Sequence, residues 1–493
     1  MYKSWNTHYH KMESQRVNGQ RGYHKVLFII PHRAIDVFAK SKIRVAIPHI
    51  PYLSIGTLAG QALQDGHDAN ILDLSISSQP KTDLLSKLQR FRPDIVAISC
   101  STPLFNEARQ ISQEVKEFDR HVKVIAGGAH PTAKPIESLQ ESNMDMAIIG
   151  EGELTLSDIL QDLPPENILG IAYRTSNGEI KKNGERPLVQ NLDELPFPAW
   201  QLYDLSRYRT PRLNCRKNPV GAMETSRGCP FTCTFCTKGI FSPKFQWRAK
   251  SPKRVVDEME HMLHIGFKEI HIWDDLFSTD LNRAKAICEE MMARNLSFPW
   301  NIYNGIRVDR VDQELLDMLK KTGVYRISFG VESGNQQVLD GVQKGIKLSQ
   351  AKAAFEMARK ARIETLGFFM LGLPGDTEET MQDTINYAKW LDPDIPKASI
   401  FMPLPGTAVY EEFEKAGFIS GEPAWDEVVF HAPPKNYRHP NLEWQTIHRY
   451  YNRFYKELML NPKYILKRIR RGVAAGDIGW DVYYFVKTLR WGW

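Results

Sequence analysis

Two series of apolar runs, each of strand length, alternate with amphipathic helical segments along this chain. Strands that recur between helices pair in parallel, because each helix returns the chain to the same end of the sheet. Such sheets are covered on both faces. The first series opens with "HKVLFIIP", His24 to Pro31, a continuous apolar run. A helical pattern over Ile55–Gln64, a turn at Asp65-Gly66 and the strand "ANILDL" follow. Two further helix–strand units end at Cys100 and at Gly127-Gly128, and "MDMAIIGEGE" supplies a fifth strand ending at Gly150. This is the pattern of a doubly wound α/β sheet, whose ligand sits at the carboxyl ends of the strands. The turns at those ends are rich in Gly, Ser and Thr.

The second series begins near residue 219. Its strands are "GAMETSRG", "EIHIWDD", "WNIYNGIR", "RISFGVES", "TLGFFMLGLPG" and "KASIFMPLPG", with helical patterns between them. Six β/α units in succession predict a parallel β/α barrel, partial or full. Between the two series the periodicity loosens. There "GIAYRTSNGEI" reads as a hairpin and "NLDELPFPAWQLYDL" as a Pro-rich connector that packs on a neighbour. The expected organisation is a flexible leader over 1–22, a Rossmann-like domain over 23–160, a connector over 161–218, a barrel over 219–420 and a helical C-terminal region over 421–493.

Composition excludes more than it selects. The 42% hydrophobic and 25% charged content is ordinary for globular proteins, and a net charge of +6 gives no case for nucleic acid. Six cysteines in 493 residues argue against a disulfide framework. The polar N-terminus has no apolar h-region, and no run of 18 apolar residues offers a transmembrane helix. A reducing cytosol is the expected compartment.

Half of the cysteines fall within eight residues. "ETSRGCPFTCTFCTKG" places Cys229, Cys233 and Cys236 in the spacing C-x3-C-x2-C. Structural zinc takes four ligands in paired clusters, and Cys100, Cys215 and Cys288 are isolated, so zinc would need a borrowed His. A [4Fe–4S] cluster takes one thiolate per iron. Three thiolates leave one iron open as a Lewis-acid docking point.

C-x3-C-x2-C after the first strand of a parallel β/α barrel resembles the signature of the radical S-adenosylmethionine (SAM) enzymes, over about Gly221 to Phe418. The resemblance implies that the open iron binds the amino and carboxylate groups of SAM, whose reductive cleavage releases a 5′-deoxyadenosyl radical. It also implies site residues: Phe235 before the third cysteine, Asp274 and Asp275 of "IWDD" near the SAM amino group, and Arg307 on the SAM carboxylate. Glu332 would hold the ribose hydroxyls. Gly372 of "FFMLGLPGDTEE" and Pro403 of "FMPLPGT" would lie near the adenine. For the Asp pair the competing reading is a helix cap, for Arg307 a salt bridge, and for the Gly and Pro residues turn geometry.

A doubly wound domain ahead of such a barrel resembles the cobalamin-binding subgroup of these enzymes. The matching pieces are "YLSIGTLAGQALQDGHDANILDLS", "AISCSTPLF", "GGAHPT" and "IGEGE". The implied cobalamin contacts are Ser54, Ser99, Thr102, Gly127, Gly128, His130, Gly150, Glu151 and Gly152. The glycines would allow close backbone approach to a flat macrocycle. The D-x-H-x-x-G motif whose His ligates cobalt is absent; the nearest candidate, His67 in "GHDAN", lies in a turn. The subgroup implies methyl transfer to an unactivated carbon of a small-molecule, lipid or tetrapyrrole substrate, with radical ring closure as the alternative. A cobalamin or iron–sulfur sensor is the reading from another class. A flavodoxin- or ferredoxin-type reductant is implied. The tail places Lys463, Lys467, Arg468, Arg470 and Arg471 among Tyr and Ile residues, followed by "GWDVYYFVKTLRWGW". It suits either peripheral membrane contact or a cover over the active site. Arg248 and Tyr303 are further candidates to face the substrate.

Overall fold

The first apolar run forms an interior strand, next to one edge, of a seven-stranded sheet. In the computed structural model, which describes residues 22–32, 48–241, 246–420, 436–476 and 478–490, strand β1 (Lys25–Ile30) pairs in parallel with β2 (Asp68–Asp73) and β3 (Ile95–Ser99). Val26, Phe28 and Ile30 join one core cluster with helix Leu53–Gln64, while Leu27 and Ile29 join another with helices Pro80–Phe91 and Phe105–Phe118. Successive strand side chains face opposite ways, so a strand covered on both faces has to be apolar throughout.

β4 (Lys123–Gly127) and β5 (Met146–Ile148) continue the parallel sheet. β6 (Ile171–Arg174) and β7 (Ile180–Lys182) then add an antiparallel hairpin, giving the order β2-β1-β3-β4-β5-β6-β7. The hairpin foreseen in "GIAYRTSNGEI" is therefore part of this sheet, which continues past residue 160 to Lys182. Without it, β5 would be an open edge. The leader, Gly22 excepted, lies outside the described residues, as do residues 421–435 of the C-terminal region.

The connector packs on helix Leu53–Gln64. Ala199 N donates to Gly56 O at 2.8 Å, and Tyr203 Oη donates to Tyr52 O at 2.8 Å. A Cβ on Gly60 would stand 2.5 Å from Phe197 O, so only glycine allows this approach.

The second domain is a six-stranded, all-parallel sheet whose order follows the chain. Its strands are β8 (Val220–Met223), β11 (Glu269–Ile272), β12 (Trp300–Ile306), β13 (Val324–Glu332), β14 (Glu364–Leu371) and β15 (Ile395–Ile400). β8 and β15 are its two edges, so the barrel is partial. The segment "GAMETSRG" breaks in two. β8 stops at Met223, and β9 (Ser226–Arg227) turns away to pair with β10 (Arg248–Ala249).

The C-terminal helices take the side and the bottom of the barrel. Helix Trp444–Met459 packs on β14 and β15, where Tyr455 Oη bonds both Ala398 N and Ala398 O at 3.0 Å. Helix Pro462–Ala475 lies below: Tyr464 Oη donates to Asp394 O at 3.2 Å, and Arg471 meets Glu364, the first residue of β14, at 2.7 Å. Among the described residues the helices after Asn461 therefore lie away from the carboxyl-end face where the cysteines are, whereas helix Trp444–Met459 begins beside Gly372 at the end of β14. The tail's outer face is apolar. Among the described residues, eight of the seventeen exposed large hydrophobic side chains fall between Leu466 and Val486, which marks this face as distinct from ordinary surface. Among the described residues no helix is long and apolar enough to cross a membrane.

Candidate functional site

The cysteine loop begins where β8 ends and is clamped by the two carboxylates that follow β11. Asp274, almost fully buried, accepts Thr225 N and Thr225 Oγ1 at 2.5 Å and Ser226 Oγ at 2.7 Å. These bonds break the strand after Met223. Asp275 accepts Gly228 N at 3.0 Å and pairs with Lys238. One aspartate thus holds the chain before Cys229, and the other ties that point to the residue two beyond Cys236. Both carboxylates serve the loop, not an open ligand pocket. Neither caps the next helix, whose first turn is capped by Asp280. The middle of the loop is fixed by Thr234 N donating to Val342 O at 3.1 Å and Val409 N donating to Thr234 O at 3.2 Å.

Cys229, Cys233 and Cys236 are partly buried free thiols. Burial pushes all three upward, Cys236 to about 11. Cations oppose this: Arg307 acts on Cys229 and Cys233, Lys344 on Cys233, and Lys238 on Cys236. The loop is thus built to carry thiolates once a metal displaces their protons. Among the described residues no three His, Cys, Asp or Glu side chains converge to hold a single ion. Separated thiols fit a cuboidal cluster, in which each binds a different iron.

Glu332, at the end of β13, has φ of 67°, a left-handed conformation costly for a residue with a Cβ. It falls where the β13–β14 register shifts between Gly330 and Glu332. Its Oε1 accepts Lys344 Nζ at 2.7 Å, and both side chains are buried. Lys344 was not foreseen; in "GVQKGI" it is a lone Lys in a turn, and only the fold brings it to Cys233.

Arg307 is more constrained than expected. It donates to Asp309 through Nε at 2.9 Å and Nη2 at 3.2 Å, and to the carbonyls of Lys344 at 2.8 Å and Gly345 at 3.2 Å. It also lies 3.5 Å over the Phe231 ring. Only one N–H remains, so the bidentate grip on a ligand carboxylate is closed, and Arg307 braces the loop through Phe231 instead. Phe235 is partly buried and packs on the second core cluster. Gly372 (φ 74°) lies under the tail helix, where a Cβ would stand 3.1 Å from Ile447. Pro403 is buried in the turn after β15. Tyr303 stacks between His271 and Trp273, with ring centroids 5.3 Å apart on each side. This column runs up the barrel wall to its mouth.

At the carboxyl end of the first sheet the expected contacts divide. Ser99 ends β3, Thr102 begins the turn beyond it, and Ser54 is exposed on the first turn of helix Leu53–Gln64. Gly150 (φ 81°) has nothing within 4 Å of where a Cβ would lie, and Gly127 has only an ordinary contact at 3.8 Å. These open positions would accommodate a flat macrocycle close to the backbone. Gly128 is closed by Cys100 O at 2.6 Å, and Gly152 by Leu58 at 3.1 Å. Their small size serves the fold.

His130 faces the domain interior, not the open end. It is fully buried, stacked at 4.1 Å on Phe105, and burial pushes its imidazole down to about 4 from the usual 6.5. Between those values the unfolded chain binds the proton and the folded chain does not, so stability falls as pH drops through that window. The full loss is about 3 kcal/mol. Urea midpoints of the wild type should fall from pH 6.5 to pH 4, and His130→Gln should flatten that part of the curve.

The two domains meet at a buried charge cluster that the sequence did not disclose. Arg227, next to Gly228 and Cys229, pairs with Glu153 and Glu224 at 2.6 Å and with Glu151 at 3.3 Å. Glu151 also accepts both ends of the Arg248 guanidinium, at 2.6 and 3.0 Å. Glu151 and Arg248 are therefore partners across the junction, and neither is left to face a cofactor or a substrate. Helix Ala129–Ala133 of the first domain packs against helix Lys238–Phe241 of the cysteine loop. The turn after β15 closes on both: a Cβ on Gly406 would stand 2.8 Å from Ile240 and 3.4 Å from Ala133.

Comparison with known proteins agrees with this architecture. The Radical SAM superfamily matches residues 223–388, and the B12 binding domain matches residues 49–160. An uncharacterised methyltransferase of Pyrococcus horikoshii is 31% identical over 426 residues, 85% of this chain and 90% of that protein. An anaerobic magnesium-protoporphyrin IX monomethyl ester cyclase of Rubrivivax gelatinosus is 28% identical, covering 74% of this chain and 68% of its own. The solved radical SAM methyltransferase TsrM of Kitasatospora setae, with cobalamin and a [4Fe-4S] cluster bound, shares the fold. Its TM-score is 0.66 at 19% identity, over 81% of this chain and 76% of that one.

Proposed function

We propose that this chain, which belongs to the cobalamin-dependent radical SAM enzymes, methylates an unactivated carbon of a small organic molecule. Its cofactors are a [4Fe–4S] cluster, SAM and cobalamin. The observation that carries the reading is the junction. The cysteine loop and the loop after β5 are joined through Arg227, Glu151 and Glu153, so a radical source and a methyl donor would open on one cavity.

When bound, the three groups together supply a hydrogen-abstracting radical and a methyl group. The chain's own residues do the rest. Cys229, Cys233 and Cys236 hold the cluster, with Lys238, Lys344 and Arg307 offsetting the thiolate charge. Glu332 spends Oε1 on Lys344, which leaves Oε2 to accept a ribose hydroxyl. The Trp273–Tyr303 stack gives an aromatic wall that keeps water from a carbon radical. A flavodoxin- or ferredoxin-type protein would supply the electron. The apolar outer face of the tail supports peripheral membrane contact, which suits a lipid-like or tetrapyrrole substrate.

Product analysis of the anaerobically reconstituted enzyme tests the reading, with the substrate taken from metabolites that accumulate in a deletion strain. Methylation would yield 5′-deoxyadenosine and S-adenosylhomocysteine together, because one SAM would supply the radical and a second SAM the methyl group. Ring closure, the reaction named for the R. gelatinosus relative, yields 5′-deoxyadenosine without S-adenosylhomocysteine. No SAM cleavage at all would make the chain a sensor.

A further inference from the structure

The cysteine loop is not the one place where charge collects. Beneath the barrel, a cavity of about 730 Å³ lies between the strand starts and the tail helices. Four arginines on its wall, Arg212, Arg216, Arg359 and Arg362, have no carboxylate partner among the described residues. The two carboxylates in the cavity are already committed. Glu364 is shared by Arg326 at 2.8 Å, Arg471 at 2.7 Å and Arg468 at 3.3 Å, and these guanidiniums hold it below the usual carboxylate range despite its burial. Asp394 accepts Thr365 N at 2.8 Å and Thr365 Oγ1 at 3.0 Å, and lies 3.6 Å from Lys467.

All four guanidinium side chains are exposed, and three of them are tethered: Arg212 Nη1 donates to Arg216 O. The Arg216 guanidinium carbon lies over the Tyr325 ring, 4.1 Å from its centroid, and Tyr325 Oη donates to Glu269 at 2.6 Å. The backbone N–H groups of Arg216 and Lys217 donate to the same Glu269, at 2.7 and 2.9 Å. Arg359 Nη1 donates to Leu391 O at 2.9 Å. Like charges fixed around one cavity repel unless an anion joins them, and guanidinium forks suit the oxygens of a phosphate.

From these observations we infer that this cavity is a phosphate-binding site, separate from the radical centre and independent of the reaction proposed above. The eight-residue β14 separates Glu364 from the turn at Gly372, a span of about 26 Å at ~3.3 Å per residue. A ligand here cannot meet the reacting atoms, so the site anchors or regulates. Two sources offer the chemistry: a soluble phosphate ester, or the headgroup of an anionic lipid. Trp480, on the cavity wall, also belongs to the apolar outer face of the tail, which places a lipid's chains beside its phosphate.

Calorimetry on the full chain with pyrophosphate and with glycerol phosphate, and flotation with vesicles of phosphatidylglycerol in phosphatidylcholine, separate the two. Arg216→Gln with Arg362→Asn should weaken the productive arm at least tenfold; Asn tolerates the left-handed φ of 55° at position 362. Lys181→Gln with Lys253→Gln, which removes the same charge elsewhere, should not. Binding of pyrophosphate or glycerol phosphate, kept by Val473→Glu, assigns a soluble ligand. Flotation without ester binding, lost in both Val473→Glu and the arginine variant, assigns the headgroup. No binding in either arm, or equal loss in the lysine control, overturns the site.

Discussion

Cys229→Ala should abolish SAM cleavage, down to the level without enzyme, and remove the visible iron–sulfur absorbance of the reconstituted protein. The expectation rests on ligand count. Three thiolates are the minimum that leaves one iron open while keeping the cluster attached, so a two-thiolate loop loses the docking iron or the whole cluster. Cys233→Ala and Cys236→Ala should behave alike, because the other cysteines, Cys100, Cys215 and Cys288, are buried elsewhere and cannot substitute. Asp275→Asn separates ligation from positioning. It leaves all three thiols but weakens the tie between Gly228 and Lys238. Iron should bind at full stoichiometry and leave faster to a chelator. Cleavage by Cys229→Ala at the wild-type rate would overturn the assignment of the loop as a cluster site.

The parts of this architecture that were legible in the sequence are those governed by local periodicity. A strand buried on both faces has to read as a continuous apolar run, so β1 and β3 stand out, and the order of the six barrel strands follows from their succession. The cysteine loop was legible because its ligands are close in the chain. What could not be read depends on which side chains meet across the fold. Asp274 and Asp275 were placed correctly at the end of β11, but nothing local indicates that their partners are Thr225, Ser226, Gly228 and Lys238. Glu151 and Arg248 were both singled out as ligand-facing, and each turned out to be the other's partner, 97 positions apart. Gly128 and Gly150 look equivalent as letters, yet one is closed by the Cys100 carbonyl and the other faces open space.

Arg227→Met should be the most destabilising substitution outside the hydrophobic core. Its guanidinium, 14% exposed, sits among Glu151, Glu153 and Glu224. Burial opposes ionisation of Glu153, yet Arg227 outweighs it and keeps that carboxyl below its usual range. Removing the cation leaves buried carboxylates uncompensated, at a cost of about 3–5 kcal/mol. Arg227→Lys keeps the charge but not the fork that reaches three partners, so an intermediate loss is expected. A double-mutant cycle with Glu153→Gln should be strongly non-additive, because the second change removes the charge that the first one strands. The functional consequence differs from that of losing a cysteine. Arg227 touches the loop on one side and the cobalamin domain on the other, and positional errors of an ångström can cost about 10²-fold in rate. Formation of 5′-deoxyadenosine, which needs only the barrel, should survive in the folded fraction of Arg227→Lys, while S-adenosylhomocysteine formation falls. Equal losses of both products would mean that Arg227 only stabilises the fold. Loss of the second alone would make it the residue that registers the two cofactor domains on one another.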